Sequence, residues 1–270
     1  MKTSPLAILV ACSLLAFSAG AEEAEETETS EEDGGFSAEV SVDVLSDYVW
    51  RGIICNGNPV WQPSVTLGYD AGDFGSLSVN VWQSYDLTHK RGTLNNSRRS
   101  CGIQETDYTL SYANSIGPVG IEVGHIWYTF PNNNGHSDQD LYATVSYEND
   151  IVTPSASAYW NYSDSAGTDV SAVYFSFGLS HDFALTDALT LTPRAELGFG
   201  DHAYTGSKGG TELTDQTVGV AASYAVTEWL SLGAQINYTW TPSHTLRHED
   251  YMGEGDHQLV WGGVNATISF

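Results

Sequence analysis

The sequence is poor in cysteine, in basic residues and in long apolar stretches. Its 270 residues include three cysteines and nine lysine or arginine residues, against 34 aspartate or glutamate residues, for a formal net charge of -25. So few cysteines exclude a disulfide-rich scaffold, and so few cations argue against a nucleic-acid partner, whose phosphates need lysine and arginine. Beyond the N-terminus no stretch approaches the ~20 apolar residues of a transmembrane helix. If the chain enters a membrane, it must do so as strands.

The N-terminus has the layout of a secretory signal. Residues 1–21 combine Lys2, an apolar stretch over 6–17 and a run of small residues at the end. This order predicts a signal peptide and therefore export. Cys12 and the residues before it resemble a lipoprotein cleavage box, but the apolar stretch continues past that cysteine, which favours the simple signal.

A strongly acidic segment follows the predicted signal. Residues 22–35 consist mainly of Glu, Thr, Ser and Gly, with almost nothing to bury. Such a composition predicts a disordered, self-repelling tail. We interpret the tail as a solvated spacer rather than a cation-binding element. Residues 36–270 are predicted to form one large all-β domain.

From Phe36 onward apolar and polar residues alternate with the period of two that is typical of strands with one apolar and one polar face. We count about twelve such segments, each long enough to cross a bilayer when tilted. They lie near 36–51, 59–70, 74–86, 103–113, 119–130, 139–148, 152–162, 170–183, 188–202, 213–225, 229–241 and 257–270. Tight turns and longer links alternate between them, as in outer-membrane barrels. The pattern predicts an antiparallel up-and-down transmembrane β-barrel with both termini periplasmic.

Aromatic residues support this prediction, since tryptophan and tyrosine gather where hydrocarbon meets headgroups. When the longer links are assigned to the outside, the outward aromatic residues fall into two groups. The outer group is Trp50, Trp61, Trp127, Trp160 and Trp240. The inner group is Phe36, Tyr69, Tyr112, Tyr147, Phe183, Tyr224, Trp229 and Phe270. Aromatic residues in the core of a soluble sandwich would lie near strand centres instead.

The last strand alternates and ends on Phe270. This ending is typical of the closing strand that the barrel-assembly machinery of bacteria reads. An edge strand of a soluble sandwich is the alternative. It fits poorly, because the opposite parity along the strands is polar and leaves the apolar parity to face outward, and an apolar exterior on a soluble monomer promotes association.

Charge on the inward parity is uneven. The inward candidates are Glu39, Asp43, Asp47, Arg51, Glu105, Asp107, Glu122, Asp140, Arg194, Glu196 and Asp215. A lumen with this excess of carboxylates should hold water and favour cations or neutral polar solutes. The alternative is that hydrogen-bonded carboxylates plug a barrel that conducts little. Arg194 and Glu196 lie two positions apart on one face and are candidates for a structural pair.

Several residues are candidates for narrowing the outer mouth. Trp82 and Trp261 have inward parity near that mouth, although a bulge could turn them to lipid. The link 87–102 carries Arg98 and Arg99, which either fold inward as a constriction or bind lipopolysaccharide phosphates, and we favour the surface contact. Cys55 and Cys101 lie in two outer links and are a candidate disulfide pair.

The opening of the predicted barrel resembles a known family. Residues 46–53 read Ser-Asp-Tyr-Val-Trp-Arg-Gly-Ile and are followed at 59–63 by Pro-Val-Trp-Gln-Pro. These residues resemble the first strand pair of the TorF-like family of outer-membrane porins, with its S-D-Y-x-x-R-G signature. The resemblance implies a β-barrel porin of poorly defined substrate. Asp47 and Arg51 match the charged positions of the signature and, by parity, face the lumen on one strand as a structural or mouth-lining pair.

An outer-membrane enzyme of the phospholipase or deacylase type is the main rival function. Such an enzyme needs a serine and a histidine within hydrogen-bond reach near the membrane interface. His125 and His181 have outward parity, but His181 lies at the inner end of its strand and His125 has no recognisable serine motif beside it. His244 and His248, with Glu249 and Asp250, are weak candidates for a metal site. An adhesive barrel ranks lower, because the loops are short.

We therefore predict a porin-like channel in the bacterial outer membrane for passive diffusion of small hydrophilic solutes, without catalytic residues, metal or cofactor. Expected partners are outer-membrane lipid and lipopolysaccharide, the barrel-assembly machinery through Phe270, and the solutes. A non-conducting structural barrel stays open as an alternative.

Overall fold

A computed structural model describes residues 35–88, 103–131, 136–164, 171–207, 209–242 and 258–270. These residues are almost entirely β-strand, as the alternation predicts. The predicted signal 1–21 and all but the last residue of the predicted tail 22–35 lie outside the described ranges.

The strands are β1 (Gly35–Leu45), β2 (Tyr48–Trp50), β3 (Ile53–Asn56), β4 (Val60–Asp70), β5 (Ser76–Asp86), β6 (Ile103–Ile116), β7 (Val119–Phe130), β8 (His136–Tyr147), β9 (Thr153–Asp164), β10 (Ala172–Ser180), β11 (Phe183–Ala184), β12 (Leu189–Gly200), β13 (Glu212–Thr227), β14 (Leu230–Trp240) and β15 (Gln258–Ser269). A 3-10 turn (Gly72–Phe74) and a short helix α1 (His202–Thr205) interrupt them. In the described ranges, no helix has the length and apolar character needed to cross a bilayer.

The long strands form a closed antiparallel barrel. The sheet of thirteen strands follows chain order, β1 pairs with β15, and the pairing of β10 with β12 completes the ring. Strand β11 continues β10 along β12, so the two count as one wall position. The ring therefore has twelve wall positions, termed staves. The structure confirms the predicted all-β up-and-down barrel. Ala38 and Phe270 exchange backbone hydrogen bonds, so the start of β1 and the end of β15 lie at one end of the ring. This end is termed the terminal end, and the opposite end is the loop end.

The two faces of the wall differ in chemistry. Side chains of the apolar parity point outward and are exposed, as for Leu110, which is 56% exposed. Side chains of the other parity point into the barrel and are mostly Ser, Thr, Asn and carboxylates, as for Thr192, which is 2% exposed. The wall is therefore apolar outside and polar inside, which excludes the soluble sandwich with an apolar centre.

The aromatic residues of the outer surface form the two predicted groups, with one exception. Trp61, Trp127, Trp160 and Trp240 are exposed near the loop end. The predicted inner group is exposed at the terminal end. Trp50 is the exception, because it lies inside the barrel and packs against buried tyrosines.

The first predicted strand, 36–51, is too long. β1 ends at Leu45, and the register of β1 with β15 ends at the same residue, opposite Gly263. Beyond it the Ser46 amide donates to the Gly262 carbonyl at 2.8 Å, and the Ser46 hydroxyl accepts from the Gly262 amide at 3.2 Å. These two bonds hold Ser46 against β15, and the chain leaves the wall only after it, because Tyr48 and Val49 lie in a buried cluster inside the barrel. The prediction that Asp47 and Arg51 share one wall strand is therefore wrong.

Candidate functional site in the barrel lumen

The connection between β1 and β4 folds into the lumen. Residues 46–59, termed the lumen segment, contain the small hairpin β2–β3, in which Trp50 pairs with Ile53. Its tip is Arg51 and Gly52, with φ angles of 47° and 78°. Glycine tolerates this left-handed conformation at no steric cost, whereas arginine seldom adopts it. The surroundings must therefore hold Arg51 in place.

The lumen segment reaches wall strands far apart on the ring. Arg51 contacts Asp140 on β8. Thr241, directly after β14, donates to the Gly52 carbonyl at 2.9 Å, and Asn56 donates to a side chain of β6. Counted from β1 through β4, β5, β6 and β7, β8 is the fifth neighbour in the ring of twelve and lies almost opposite. The segment therefore crosses the lumen.

Arg51 forms a buried ion pair at the far side. Its Nη1 lies 2.9 Å from Asp140 Oδ2, and the two side chains are 2% and 1% exposed. Tyr128 donates to the same carboxylate oxygen at 3.2 Å, and Asn161 donates to the other at 3.0 Å. Asp140 is thus fixed by three donors from three chain segments. Charge-assisted bonds of this kind are short and strong.

Aromatic rings cover the faces of the Arg51 guanidinium. Its Cζ lies 3.8 Å from the ring centroid of Tyr159, 4.5 Å from that of Trp50 and 5.2 Å from that of Tyr174. These distances are within the range of cation–π attraction. The rings around Arg51 belong to one buried cluster, termed the aromatic cage, which consists of Trp50, Tyr128, Tyr142, Tyr159, Tyr174 and Tyr204.

The tyrosines of the cage form a row across neighbouring elements of the barrel. Tyr142, Tyr159, Tyr174 and Tyr204 follow one another with centroid separations of 5.6, 6.2 and 5.3 Å. The first three lie directly opposite each other in the registers of β8, β9 and β10. Cross-strand pairs of this kind stabilise a sheet face, so the wall itself sets the spacing of the cage.

Helix α1 supplies the last ring and holds the hairpin backbone. Asp201 caps the helix by accepting from the Tyr204 amide at 2.8 Å. The Tyr204 hydroxyl donates to the Arg51 carbonyl at 3.1 Å. Burial, against the opposing charge of Arg51, raises the pKa of this phenol well above its ordinary value. The hydroxyl therefore remains protonated and remains a donor.

Asp215 on β13 marks the place where the hairpin tip meets the wall. Its Oδ1 accepts from Thr214 Oγ1 at 2.7 Å and from the Tyr174 hydroxyl at 3.2 Å. A Cβ at Gly52 would lie 2.7 Å from the Asp215 Cβ. Position 52 thus requires glycine for two reasons, its positive φ angle and its close approach to the wall.

We expect Gly52→Ala to loosen the lumen segment by about 1–3 kcal/mol, because alanine is strained at positive φ and its Cβ would collide with Asp215. The readout is trypsin cleavage after Arg51 in the folded barrel, which should become faster. Gly72→Ala is the control, because Gly72 has a φ of 63° but nothing within 4 Å of a Cβ. Equal cleavage of both variants would contradict the proposed fit.

Carboxylates outnumber bases in the lumen. Arg51 and Arg194 are the arginines of the described ranges, whose sequence holds no lysine, and both lie inside the barrel. Glu105 is buried, and its Oε2 has no hydrogen-bond partner. Oδ1 of Asp43 and Oδ1 of Asp107 are also buried without a partner. The described lumen therefore has more carboxyl groups than arginines.

Arg194 lies on β12, and amide groups hold its guanidinium. It donates to Asn237 Oδ1 at 2.6 Å and to Gln235 Oε1 at 3.1 Å, both on β14. Gly219 of β13 lies between Arg194 and Asn237 in the register, and a Cβ there would collide with Asn237. The glycine lets the arginine reach over one strand.

The remaining predicted site residues are dispersed. Glu39 and Glu122 lie on the inner wall, and Glu122 accepts from the Tyr142 hydroxyl at 2.5 Å. Glu196 lies on β12, where its register partner is Gly178 of β10. Asp47 is half-buried at the start of the lumen segment. The three glutamates share inward strand parity rather than a contact, and Asp47 lies off the wall.

Trp82 and Trp261 both face the lumen, where they pack against the lumen segment. Their role in narrowing the outer mouth stays a prediction. Trp261 belongs to a buried cluster with Tyr48 and Val49, and Trp82 packs against it. Cys55 packs against the same cluster and is half-buried. Its predicted disulfide partner Cys101 and the candidates Arg98 and Arg99 lie outside the described residues, so those assignments stay predictions.

Sequence reasoning missed the cage itself. Tyr128, Tyr142, Tyr159 and Tyr174 have inward parity, next to outward residues such as Trp127 and Trp160. The alternation of the strands was therefore enough to predict four inward tyrosines near the loop end. Trp50 and Tyr204 join the cage because the connections that carry them fold into the barrel. The sequence of these connections has no periodic pattern that predicts this.

The histidines predicted as enzymatic candidates lie on the outer surface. His125 Nε2 is 2.9 Å from the Tyr162 hydroxyl and 3.2 Å from Gln139 Oε1, whereas an acyl-transfer mechanism needs a serine there. His181 packs its ring against Phe183 at 4.5 Å. Within the described ranges no three His, Cys, Asp or Glu side chains are arranged to hold a metal ion. The candidates 244–250 lie outside those ranges.

Solved structures with a similar fold are bacterial barrels. The NanC porin is 9% identical with a TM-score of 0.50, covering 86% of this chain and 98% of that chain. The KdgM porin in complex with disordered oligogalacturonate is 12% identical with a TM-score of 0.49, covering 87% and 99%. Outer membrane phospholipase A from Escherichia coli is 14% identical with a TM-score of 0.48, covering 86% and 89%.

At such low identity the likeness to NanC extends to the fold, that of an outer-membrane β-barrel. This fold, with its apolar outer surface, assigns the protein to the bacterial outer membrane. A comparison with curated proteins finds no match to the chain. The model of a family described as "Bacterial protein of unknown function (Gcw_chp)" matches residues 29–254. The chain therefore belongs to the Gcw_chp family of bacterial proteins.

Proposed function

We propose that the protein is an outer-membrane channel through which small hydrophilic solutes diffuse passively, with a preference for cations or neutral solutes. The observation that carries the proposal is the polar inner wall of a closed twelve-stave barrel in which carboxylates outnumber arginines. The lumen segment acts as the constriction of this channel.

The charge of the wall provides the selectivity. The inward carboxylates are Glu39, Asp43, Glu105, Asp107, Glu122, Asp140, Glu196 and Asp215. Of the two inward arginines, Arg51 is neutralised by Asp140, and Arg194 is held by amide oxygens. A narrow polar passage with low-dielectric walls focuses the field of such charges and raises the local concentration of cations. The same field repels anions.

The orientation in the membrane follows from the connections. Bacterial barrels have short turns on the periplasmic side and longer loops outside. The turn between β6 and β7 has two residues, 117–118, whereas the connection between β14 and β15 spans 241–257. We infer that the terminal end is periplasmic, so that Phe270 is available to the barrel-assembly machinery. The loop end would then meet lipopolysaccharide, to which Arg98 and Arg99 are proposed to bind.

The signature at 46–53 supports the same function through its resemblance to TorF-like porins. Within that resemblance Arg51 and Asp47 are the charged positions, and Arg51 is the residue that ties the lumen segment to the wall. We infer that the residues of the signature hold the constriction in its place against the wall. The signal peptide 1–21 and the acidic tail 22–35 are proposed to precede the barrel in the unprocessed chain.

Reversal potentials in planar bilayers test the proposal. Across a KCl gradient the purified barrel is expected to show discrete steps and a potential of the sign that indicates cation preference. Asp43→Asn, which replaces an ionisable carboxyl of the inner wall by an amide, should reduce the preference. Asp73→Asn is the matched control, because Asp73 is exposed in the turn between β4 and β5. A preference for anions, or an equal response of both variants, would overturn the proposal.

A non-conducting structural barrel is the second candidate, and the lumen segment favours it, because the segment crosses the lumen. The absence of current from both the intact barrel and a barrel without the segment would support it. Hydrolysis of phospholipid by the purified barrel, in the same silent preparations, would instead support an outer-membrane enzyme.

A further inference from the structure

We propose that the aromatic cage and Asp140 form a recognition site for solutes that carry a guanidinium or alkylammonium group, and that Arg51 occupies this site as an internal ligand. The inference rests on the proposed channel function and names the class of solute that its lumen selects.

The chemistry of the cage matches a planar cation. One carboxylate is held by Tyr128 and Asn161 with its Oδ2 toward the guanidinium, 2.9 Å from Arg51 Nη1. Ring faces of Tyr159, Trp50 and Tyr174 lie above and beside the cation. A fixed carboxylate between flat aromatic faces is the arrangement by which proteins recognise organic cations.

The cage is built into the wall independently of the lumen segment. Tyr142, Tyr159 and Tyr174 are register partners on β8, β9 and β10. Asp140 lies two residues before Tyr142 on the same strand and the same face. Of the cage residues, Trp50 alone comes from the lumen segment. A vacant cage would therefore keep its carboxylate and most of its rings.

Arg51 fits the cage imperfectly, which leaves room for competition. Its backbone is in the left-handed region that arginine seldom adopts. Its Nε is buried without a hydrogen-bond partner. A free guanidinium carries neither constraint, since it can rotate in the cage and needs no strained backbone. A solute cation is thus able to displace the Arg51 side chain.

The hairpin backbone has anchors that do not involve the Arg51 side chain. The Arg51 carbonyl accepts from Tyr204, and the Gly52 carbonyl accepts from Thr241. The side chain can consequently leave the cage while the tip of the hairpin stays near the wall. When a solute occupies the cage, the Arg51 side chain would leave first and the backbone anchors of the lumen segment would break later. Binding of the solute would in this way favour its passage through the channel.

Binding of methylguanidinium to full-length barrels in detergent tests the inference. Arg51→Gly vacates the cage, and glycine suits the φ of 47° at this position. We expect this variant to bind methylguanidinium at least about tenfold more tightly than the unchanged protein, in which Arg51 competes. Tyrosine and tryptophan fluorescence reports the occupation, and N-methylurea, a neutral molecule of the same shape, should not bind.

Asp140→Asn in the Arg51→Gly background should weaken binding of methylguanidinium by about tenfold or more, because the charged partner is lost. Arg51→Ala is the second variant, used if the glycine variant does not refold, and the heat-modifiable gel migration of each barrel establishes that it has folded. Folded vacant barrels that do not bind methylguanidinium, or that bind it equally with Asn at position 140, would overturn the inference and leave Arg51 a structural latch.

Conductance of the same preparations separates the two proposals. Binding in a barrel that carries no current would retain the recognition site and refute the channel. Cation-favouring current without binding would retain the channel and refute the recognition site. Both positive results together predict that methylguanidinium reduces the current through Arg51→Gly at the concentration at which it binds.

Discussion

Replacing residues 46–59 by Asn-Gly is expected to raise the single-channel conductance at least about tenfold, because a ring of twelve strands is wider than the eight-stranded barrels whose interior side chains fill. The lumen segment places the side chains of Tyr48, Trp50 and Arg51 across that interior. Without the segment the barrel retains a wall of Ser, Thr, Asn and carboxylates, which water can fill.

The geometry of the wall permits this deletion. Leu45 and Val60 are direct register partners at the ends of β1 and β4. A two-residue Asn-Gly turn is the favoured connection between antiparallel partners of this kind. The deletion therefore closes the chain without moving either strand, and the measured change in conductance reports the segment alone.

The matched control shortens a turn at the terminal end. Asp70 and Ser76 are register partners of β4 and β5, so Asn-Gly can also replace residues 71–75. That change removes nothing from the lumen, and its conductance should equal that of the unchanged barrel. A similar rise in both variants would point to a general loosening of the barrel, and no rise in either would show that the segment is not the constriction.

The strands were predictable because their signal is local. The predicted segment 119–130 coincides with β7 (Val119–Phe130), and 59–70 nearly coincides with β4 (Val60–Asp70). In each, successive residues alternate between lipid and lumen, and that period of two appears in the sequence without knowledge of any partner strand. Loop lengths then fixed the alternating direction of the staves.

The lumen segment was not predictable by the same reasoning. The alternation of apolar residues continues through Tyr48 and Trp50, so residues 36–51 resemble one uninterrupted strand. The departure depends on contacts that are distant in sequence, above all the bond between Arg51 and Asp140, which are 89 positions apart. Without such a contact, neither the inward turn nor the partner of Arg51 has a signature in the sequence. The excess of inward carboxylates was visible, but which of them meets an arginine was not.

Asp140→Ala is expected to destabilise the barrel by about 3–5 kcal/mol, because it leaves the Arg51 charge buried without a partner. The tyrosine rings offset only part of this cost, since cation–π attraction contributes about 0.5–2 kcal/mol. Urea-induced unfolding from lipid vesicles measures the change. Trypsin cleavage after Arg51 should rise in parallel, because the easiest relief is to expel the hairpin tip from the cage.

A double variant distinguishes the effect of the ion pair from that of the packing around it. Arg51→Met with Asp140→Leu removes both charges and keeps similar volume, so most of the loss from Asp140→Ala should be recovered. Asp43→Ala is the control, because Asp43 is also a buried inward carboxylate, but its Oδ1 has no hydrogen-bond partner. Its removal should cost no more than about 1 kcal/mol. If Asp43→Ala costs as much as Asp140→Ala, or the double variant is no more stable than Asp140→Ala, then burial of carboxylates in general, and not the pairing with Arg51, holds the lumen segment in the barrel.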